Sequence, residues 1–300
     1  MPTHSNGFDA GMTHVEGDCN WPINPPGVGM GPYTSWKLDE FAKIAGSNVG
    51  TVGNIQAGRM HRGLPAGHYY GLDLTAACGG YVWQPKGEPA THLRGTSLSL
   101  LAACLRTQRR MGLHYRVGLI EQNEKLVELL KQRLDEGASR AHLNLEFVDV
   151  LLGDHADLAV PWVLQHVRAP AWGLITMDTN GEINCEVLRA LGAMRQLHMV
   201  DYALHVSAAI PKWRKRRGAA SLEELLAACR KRFWFVGRTR ANWQWVWFVG
   251  TDWAPWAETL KRIGLVLKDS VEGQARWDTL CLTRSQRKIR DQHSLFEEAE

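Results

Sequence analysis

The chain has 300 residues, 45% of them hydrophobic and 22% charged, a composition that suits one elaborated α/β domain or two small ones around a sizeable core. No run of about 18 apolar residues occurs, so no membrane-spanning helix is expected. The polar first twenty residues lack the basic start and apolar stretch of a secretory signal, and the expected compartment is the cytoplasm.

The six cysteines form no CxxC pair and the twelve histidines no HExxH motif, so neither a disulfide framework nor a metal site is expected. The net charge of +4 is uneven. Residues 211–240 hold ten Lys/Arg against two acids, Glu223 and Glu224. Such a concentration reads as a polyanion-facing surface or as a solvated charged face.

In chain order, residues 1–60 read as a Gly/Pro-rich arm with one short helix at 36–45, followed by glycine-rich loop to 67. Gly27, Gly29 and Gly31 mimic a dinucleotide fingerprint, but no strand precedes them and prolines flank them. From residue 61 to 283 the pattern is that of an α/β domain. Strands are expected at 69–74, 115–120, 143–150, 173–177 and 202–206. Helices are expected between them at 97–110, 123–136, 156–167 and 182–197, with a long loop before the first. A further helix at 221–232 opens on Ser221 with Glu224 three residues on, a capping box. Residues 243–250 alternate like a strand, 257–264 suit a short helix, 276–282 read as the last strand, and 284–300 form a charged tail. Strict alternation of strand and helix implies a doubly wound, mostly parallel sheet with helices on both faces.

Ligands of such sheets sit at the carboxyl ends of the strands. The first strand ends in Asp73, Leu74, Thr75, Ala76, Ala77, Cys78, Gly79 and Gly80. An acid followed by small residues can meet an ammonium or hydroxyl group, or simply make a tight turn. More than fifteen residues separate it from the next helix, which disfavours pyrophosphate binding. At the second strand's end, Glu121 precedes Gln122. Its carboxylate can grip two ribose hydroxyls or stabilise a helix N-terminus. The third strand leads to Gly153, Asp154 and His155, where an acid can meet an adenine amino group or cap a helix. The fourth delivers Asp178, Thr179, Asn180 and Gly181, either a functional tip or a turn with a cap.

These four sites in this order resemble class I S-adenosylmethionine-dependent methyltransferases over residues 69–207. Within that superfamily they are most similar to the three-Cys-motif partner family, whose acid–small–Gly turn, Gly-Ser helix start, ribose acid, Gly-Asp pair and Asp-x-x-Gly tip match Asp73 to Gly80, Gly95 to Ser97, Glu121, Gly153-Asp154 and Asp178 to Gly181. The resemblance implies a seven-stranded Rossmann-like sheet with its last strand antiparallel beside the fifth. It implies S-adenosylmethionine as cofactor, held by Asp73, Thr75, Ala77, Gly79, Glu121, Gln122, Asp154 and His155. Asp178 and Asn180 become the expected catalytic residues. Lys212, Trp213, Arg214, Lys215, Arg216 and Arg217 follow the fifth strand and become the expected nucleic-acid contacts, with DNA preferred over RNA.

The strand-four tip has neither the Pro-Pro-aromatic motif of amino-methylating DNA enzymes nor a Pro-Cys nucleophile. An inactive nucleic-acid-binding protein on a methyltransferase scaffold is therefore one alternative. Another is an RNA ribose 2′-O-methyltransferase, which the first motif also resembles and whose Lys-Asp-Lys-Glu set Lys43, Asp178, Lys212 and Glu272 match in order. A nicotinamide oxidoreductase fits the sheet pattern but not the glycine spacing. Trp243, Trp245 and Trp247 are read mainly as packing residues.

Overall fold

The computed structural model describes residues 33–64, 67–83, 91–111, 114–142, 144–179, 181–239 and 243–281. Its first element is a 28-residue helix, α1 (Tyr33–Met60). Then come β1 (His68–Asp73), a hairpin of β2 (Gly80–Trp83) and β3 (Thr91–Arg94), α2 (Thr96–Met111), β4 (His114–Glu121), α3 (Glu124–Ala141), β5 (Val148–Leu152), α4 (His155–His166) and β6 (Ala171–Met177). The second half contains α5 (Cys185–Ala193), β7 (Val200–Ser207), α6 (Ile210–Arg217), α7 (Leu222–Ala228), β8 (Phe233–Val236), β9 (Trp245–Thr251), α8 (Ala254–Arg262), β10 (Val266–Leu267) and α9 (Val271–Cys281).

The main sheet has eight strands in the order β10-β8-β9-β7-β6-β1-β4-β5. Strands β5, β4, β1, β6 and β7 run parallel, and β9 inserts antiparallel between β7 and β8. This is the doubly wound Rossmann-like sheet expected, its antiparallel strand beside the fifth parallel one, with a two-residue strand added at one edge. All seven residues of β6 are buried, as expected of a central parallel strand covered on both faces. Two apolar cores result. One joins α1, α2 and α8 to the face bearing Tyr69, Leu119, Leu174 and Trp247. The other joins α4, α5 and α7 to Leu72, Ile175, Tyr202 and Phe248.

Several expectations are corrected. The helix expected at 36–45 continues to Met60, because Phe41, Ile44, Val49 and Val52 are buried against the sheet and α2. Apolar docking outweighs the low helix propensity of Gly46, Gly50 and Gly58. The long loop after β1 contains an antiparallel hairpin. The segment 276–282 is not the last strand. Residues 271–281 are helical, with Glu272–Arg276 and Gln274–Asp278 pairs at the i,i+4 spacing of one helix face. The sixth strand is instead Phe233–Val236, which follows directly on α7, so β9 is the seventh. Residues 210–217 form a helix, with Pro211 in its first turn and Gly218 in the left-handed conformation after it, where a loop was expected.

Helix α1 also docks through polar groups. The Asn48 amide donates to Asp201 at 2.9 Å and accepts from the Tyr69 hydroxyl at 2.9 Å, all three being buried. Trp256 donates to Ser47, and Trp247 donates to the Lys37 carbonyl. A Cβ added at Gly46 or Gly50 would meet nothing within 4 Å. Each Gly→Ala change should therefore stabilise the protein by about 0.5–1 kcal/mol. Differential scanning calorimetry should show the melting temperature rising by about 1–2 °C per site.

Candidate functional site

The chain moves outward from β1 to β4 and β5, then returns to β6 and β7 on the other side. The strand order therefore switches between β1 and β6, and the crevice at their carboxyl ends is where a ligand of such a sheet belongs. The turn after β1 fills that edge. The Leu74 amide donates to the Thr176 carbonyl, and the Ala76 amide donates to the Ile120 carbonyl. The Gly95 amide donates to the Gly79 carbonyl at 2.7 Å, and Arg133 of α3 donates to the carbonyls of Cys78 and Gly80. Ala77 (φ 50°) and Gly79 (φ 76°) both adopt left-handed backbone. Ala77 carries a cost of about 1 kcal/mol in that conformation.

Asp73 ends β1 and is fully buried. Its Oδ2 accepts from the Thr96 hydroxyl at 2.7 Å, and its Oδ1 accepts from the Thr75 amide at 3.0 Å. Burial pushes its carboxyl up to about 7, opposed by those two hydrogen bonds and reinforced by the charges of Asp178 and Glu121. Among the described residues no cation forms an ion pair with it. Glu121 ends β4, and its two oxygens accept from the amides of Ala77 and Asn123, each at 2.9 Å. Tyr81, from β2, lies near all three carboxylates, and burial pushes its phenol well above the usual range, with Asp178, Cys78, Asp73 and Glu121 adding to the shift.

The other expected cofactor residues are distributed around this edge. Gln122 is exposed. Asp154 caps α4 by accepting from the Ala156 amide at 2.8 Å and is exposed. His155 is half-buried, and its Nε2 is buried without a hydrogen-bond partner. Burial lowers its pKa, while Asp154 and Glu121 pull it back up. Gly79 is buried, and a Cβ there would meet Leu130 and Leu98 at 2.8 and 3.0 Å, so it shapes the turn by its small size.

At the tip of β6, the Asp178 amide donates to the Thr75 hydroxyl at 2.7 Å, tying the two central strands together. The Asp178 carboxylate pairs with Lys37 of α1 at 2.8 Å and with His205 Nδ1 of β7 at 2.8 Å. The desolvated carboxylate would be raised by burial, yet the Lys37 ammonium holds it below the usual range. Burial lowers the His205 imidazole, while the Asp178 carboxylate beside it pulls the other way. Its ring stacks on Trp245, with centroids 5.4 Å apart and planes 14° apart, and touches Trp247 at 4.7 Å. The Lys37 and His205 contacts together orient the Asp178 carboxylate at the strand tip. Asn180 lies outside the described residues.

Lys37, His205, Thr96 and Tyr81 were not singled out in the sequence. Lys37 could have been, because it shares the 37, 41, 44, 48 stripe with Phe41 and Ile44, and a lysine on a buried stripe needs a partner. Of the Lys-Asp-Lys-Glu set, the Lys212 side chain lies outside the described residues and the other three members have partners of their own. Lys43 pairs with Asp39 and Glu272 with Arg276, while Lys37 takes Asp178.

The basic window divides in two. Helix α6 leaves the carboxyl end of β7 with Arg214, Lys215 and Arg216 exposed, on the same edge as the crevice. The side chains of Lys212, Trp213 and Arg217 lie outside the described residues. Arg230, Lys231 and Arg232 precede β8 at the opposite edge, where Lys231 pairs with Asp252. Trp243 and Trp247 are buried, in line with their packing role. Among the described residues, no group of three His, Cys, Asp or Glu could hold a metal ion, and no helix is long and apolar enough to cross a membrane.

No family model and no curated protein sequence matches the chain. Several solved structures are similar in fold. A protein from Legionella pneumophila str. Philadelphia 1, of the family model DUF519, is 12% identical, with 74% of this chain and 90% of that one covered at a TM-score of 0.40. The precorrin-6y C5,15-methyltransferase of Geobacter metallireducens GS-15 is 12% identical over 61% and 78%, TM-score 0.33. A geranyl diphosphate methyltransferase in complex with GPP and sinefungin is 10% identical over 76% and 84%, TM-score 0.34.

Two outcomes are expected from this geometry. A carboxyl raised by burial stabilises the fold fully below its unfolded pKa and loses that contribution as pH rises through the folded value. The melting temperature of Asp73→Asn minus that of the ligand-free parent should therefore grow between about pH 4 and pH 7 and then level off. Lys37→Met should destabilise by about 3 kcal/mol through an unpaired buried carboxylate. Urea denaturation should show Asp178→Asn recovering much of that loss in the double variant.

Proposed function

We propose that this chain is an S-adenosylmethionine-dependent methyltransferase acting on nucleic acid, DNA in the first instance, in the cytoplasm. The observation that carries the cofactor assignment is Asp73, a fully buried carboxylate at the strand-order switch, paired with no cation among the described residues. An α-ammonium group would supply the missing charge. The orphaned His155 Nε2, electrostatically close to Glu121, is a second unfilled polar position on the same edge. The donor set fits the cofactor. Asp73 would hold its amino-acid end. Glu121 keeps lone pairs on both oxygens for ribose hydroxyls, beyond its bonds to Ala77 and Asn123. His155 would meet the base.

When bound, S-adenosylmethionine supplies an electrophilic methyl group on a sulfonium. The protein's own contribution is orientation. The Thr75–Asp178 bond fixes the donor turn against the β6 tip, and the Lys37–Asp178–His205 set fixes that tip in turn. Helix α6 would hold phosphates through Arg214, Lys215 and Arg216 on the rim of the crevice. The finer likeness to the three-Cys-motif partner family rests on the spacing of Asp73, Glu121, Gly153-Asp154 and Asp178 and belongs to the same proposal.

A ribose hydroxyl is a second acceptor reading, favoured by the Lys37–Asp178 pair. An ammonium held at the β6 tip would stabilise a developing alkoxide.

Isothermal titration calorimetry should show one S-adenosylmethionine bound per chain. Asp73→Asn and Glu121→Ala should each weaken binding at least about tenfold, corresponding to one charged or bidentate contact. A folded parent protein that takes up no cofactor would remove the reading. Labelled methyl incorporation into DNA or RNA then separates an active enzyme from an inactive binding scaffold and identifies the acceptor.

A further inference from the structure

A second concave surface lies one helical turn along α1 from the Lys37–Asp178 pair. This shallow cleft, open to solvent, is lined by Trp36, Asp39, Glu40 and Lys43 of α1, by Arg238 and Trp243 from the β8–β9 connection, and by Ile263 after α8. Its chemistry is mixed. Trp36 leaves 43% of its surface exposed, whereas Trp243 is buried. Glu40 is half-buried, and its Oε1 accepts from the Arg238 amide at 2.8 Å. Lys43 and Arg238 are exposed on the rim, where the Lys43 ammonium also pairs with Asp39 at 2.6 Å.

A plain cation site would not place Lys43 and Arg238 at its mouth. A plain anion site would not carry a half-buried carboxylate. A nucleotide satisfies both conditions: its base lies on indole, its N–H groups meet the carboxylate, and its phosphate meets the basic rim.

We infer that this cleft is a nucleotide subsite that takes one base of a single-stranded nucleic acid, a base with adjacent N–H donors such as guanine. The inference rests on the nucleic-acid reading above and deepens it. Trp36 adjoins Lys37 in sequence. Trp243 lies two residues before Trp245, which stacks on His205, the partner of Asp178. A base held in the cleft would thus register the strand against the β6 tip.

The state of Glu40 sets the pH dependence. Burial pushes its carboxyl up to about 7, while its hydrogen bond from Arg238 and the charges of Arg238, of Arg276 on α9 and of Lys43 pull it back. Only the ionised carboxylate accepts two N–H groups. Guanine preference should therefore strengthen as pH rises from 6 to 8.

The test is fluorescence anisotropy with fluorescein-labelled single-stranded hexamers that contain or lack guanine. Cofactor calorimetry is run on the same proteins. The parent should prefer the guanine-containing hexamer about fivefold or more. Trp36→Ala should weaken both hexamers about tenfold, the effect of one lost stacking contact. Glu40→Gln, which keeps an acceptor for the Arg238 amide, should abolish the preference and its pH dependence. Cofactor affinity should be unchanged in both variants. Hexamer binding by Trp36→Ala equal to that of the parent, no guanine preference in the parent, or no hexamer binding at all would overturn the subsite even with cofactor binding intact. The expected hexamer pattern in a protein that binds no cofactor would support the subsite and remove the methyltransferase reading instead.

Discussion

The carboxylate of Asp73 lies buried at the end of β1 with, among the described residues, one hydroxyl and one amide donating to it, and the burial of that charge constrains everything around it. A buried carboxylate needs donors, and those donors must come from the chain that follows. Thr75 and Thr96 supply them, which forces the chain to turn back over the strand end and to begin α2 beside it. The turn is then held from three sides, by β6 through Thr176 and Asp178, by β4 through Ile120 and Glu121, and by α3 through Arg133. The positive φ of Ala77 is tolerated because the surrounding contacts over-determine it. The result is a rigid, small-residue surface with a proton-dependent acid at its base.

The second constraint is the helix laid across one sheet face. It buries apolar side chains along most of its length and also closes a buried polar set at Asn48, Tyr69 and Asp201. Burial raises the Asp201 carboxyl to about 7, with Lys231 and hydrogen bonds from Thr251 and Asn48 opposing it. Two buried acids of opposite behaviour, Asp201 raised and Asp178 depressed, thus lie beneath the same helix. Lys37 makes the difference: a direct ammonium at 2.8 Å outweighs desolvation at one site and is lacking at the other.

Much of this architecture could be read from residues alone, for identifiable reasons. The central strands are apolar runs such as 171–177, unmistakable because both faces are covered. The amphipathic α3 and the Ser221 capping box follow local rules, and the box is present with both of its bonds. The acids at the strand ends fell where the sheet topology puts ligands. The failures were tertiary. Phe233 to Val236 make too short a strand to stand out beside a helix. Residues 276–282 carry an apolar pattern that suits either state. The glycines of α1 argue locally for loop and are overruled by packing. The His205–Asp178–Lys37 set joins three elements far apart in sequence, so no spacing announces it.

Because α1 both roofs one face of the sheet and delivers Lys37 to Asp178, the docking of the helix and the arrangement of the β6 tip are not separable. The helix extends about 42 Å, and about 29 Å of it separates Lys37 at the carboxyl edge of the sheet from Gln56, which receives the Gly67 amide at the far edge, just before β1. Drift at one end is therefore transmitted to the other as rigid-body motion. A substitution that shifts the helix against the sheet would therefore disturb the β6 tip and the entry to β1 together, since the same 28 residues serve both.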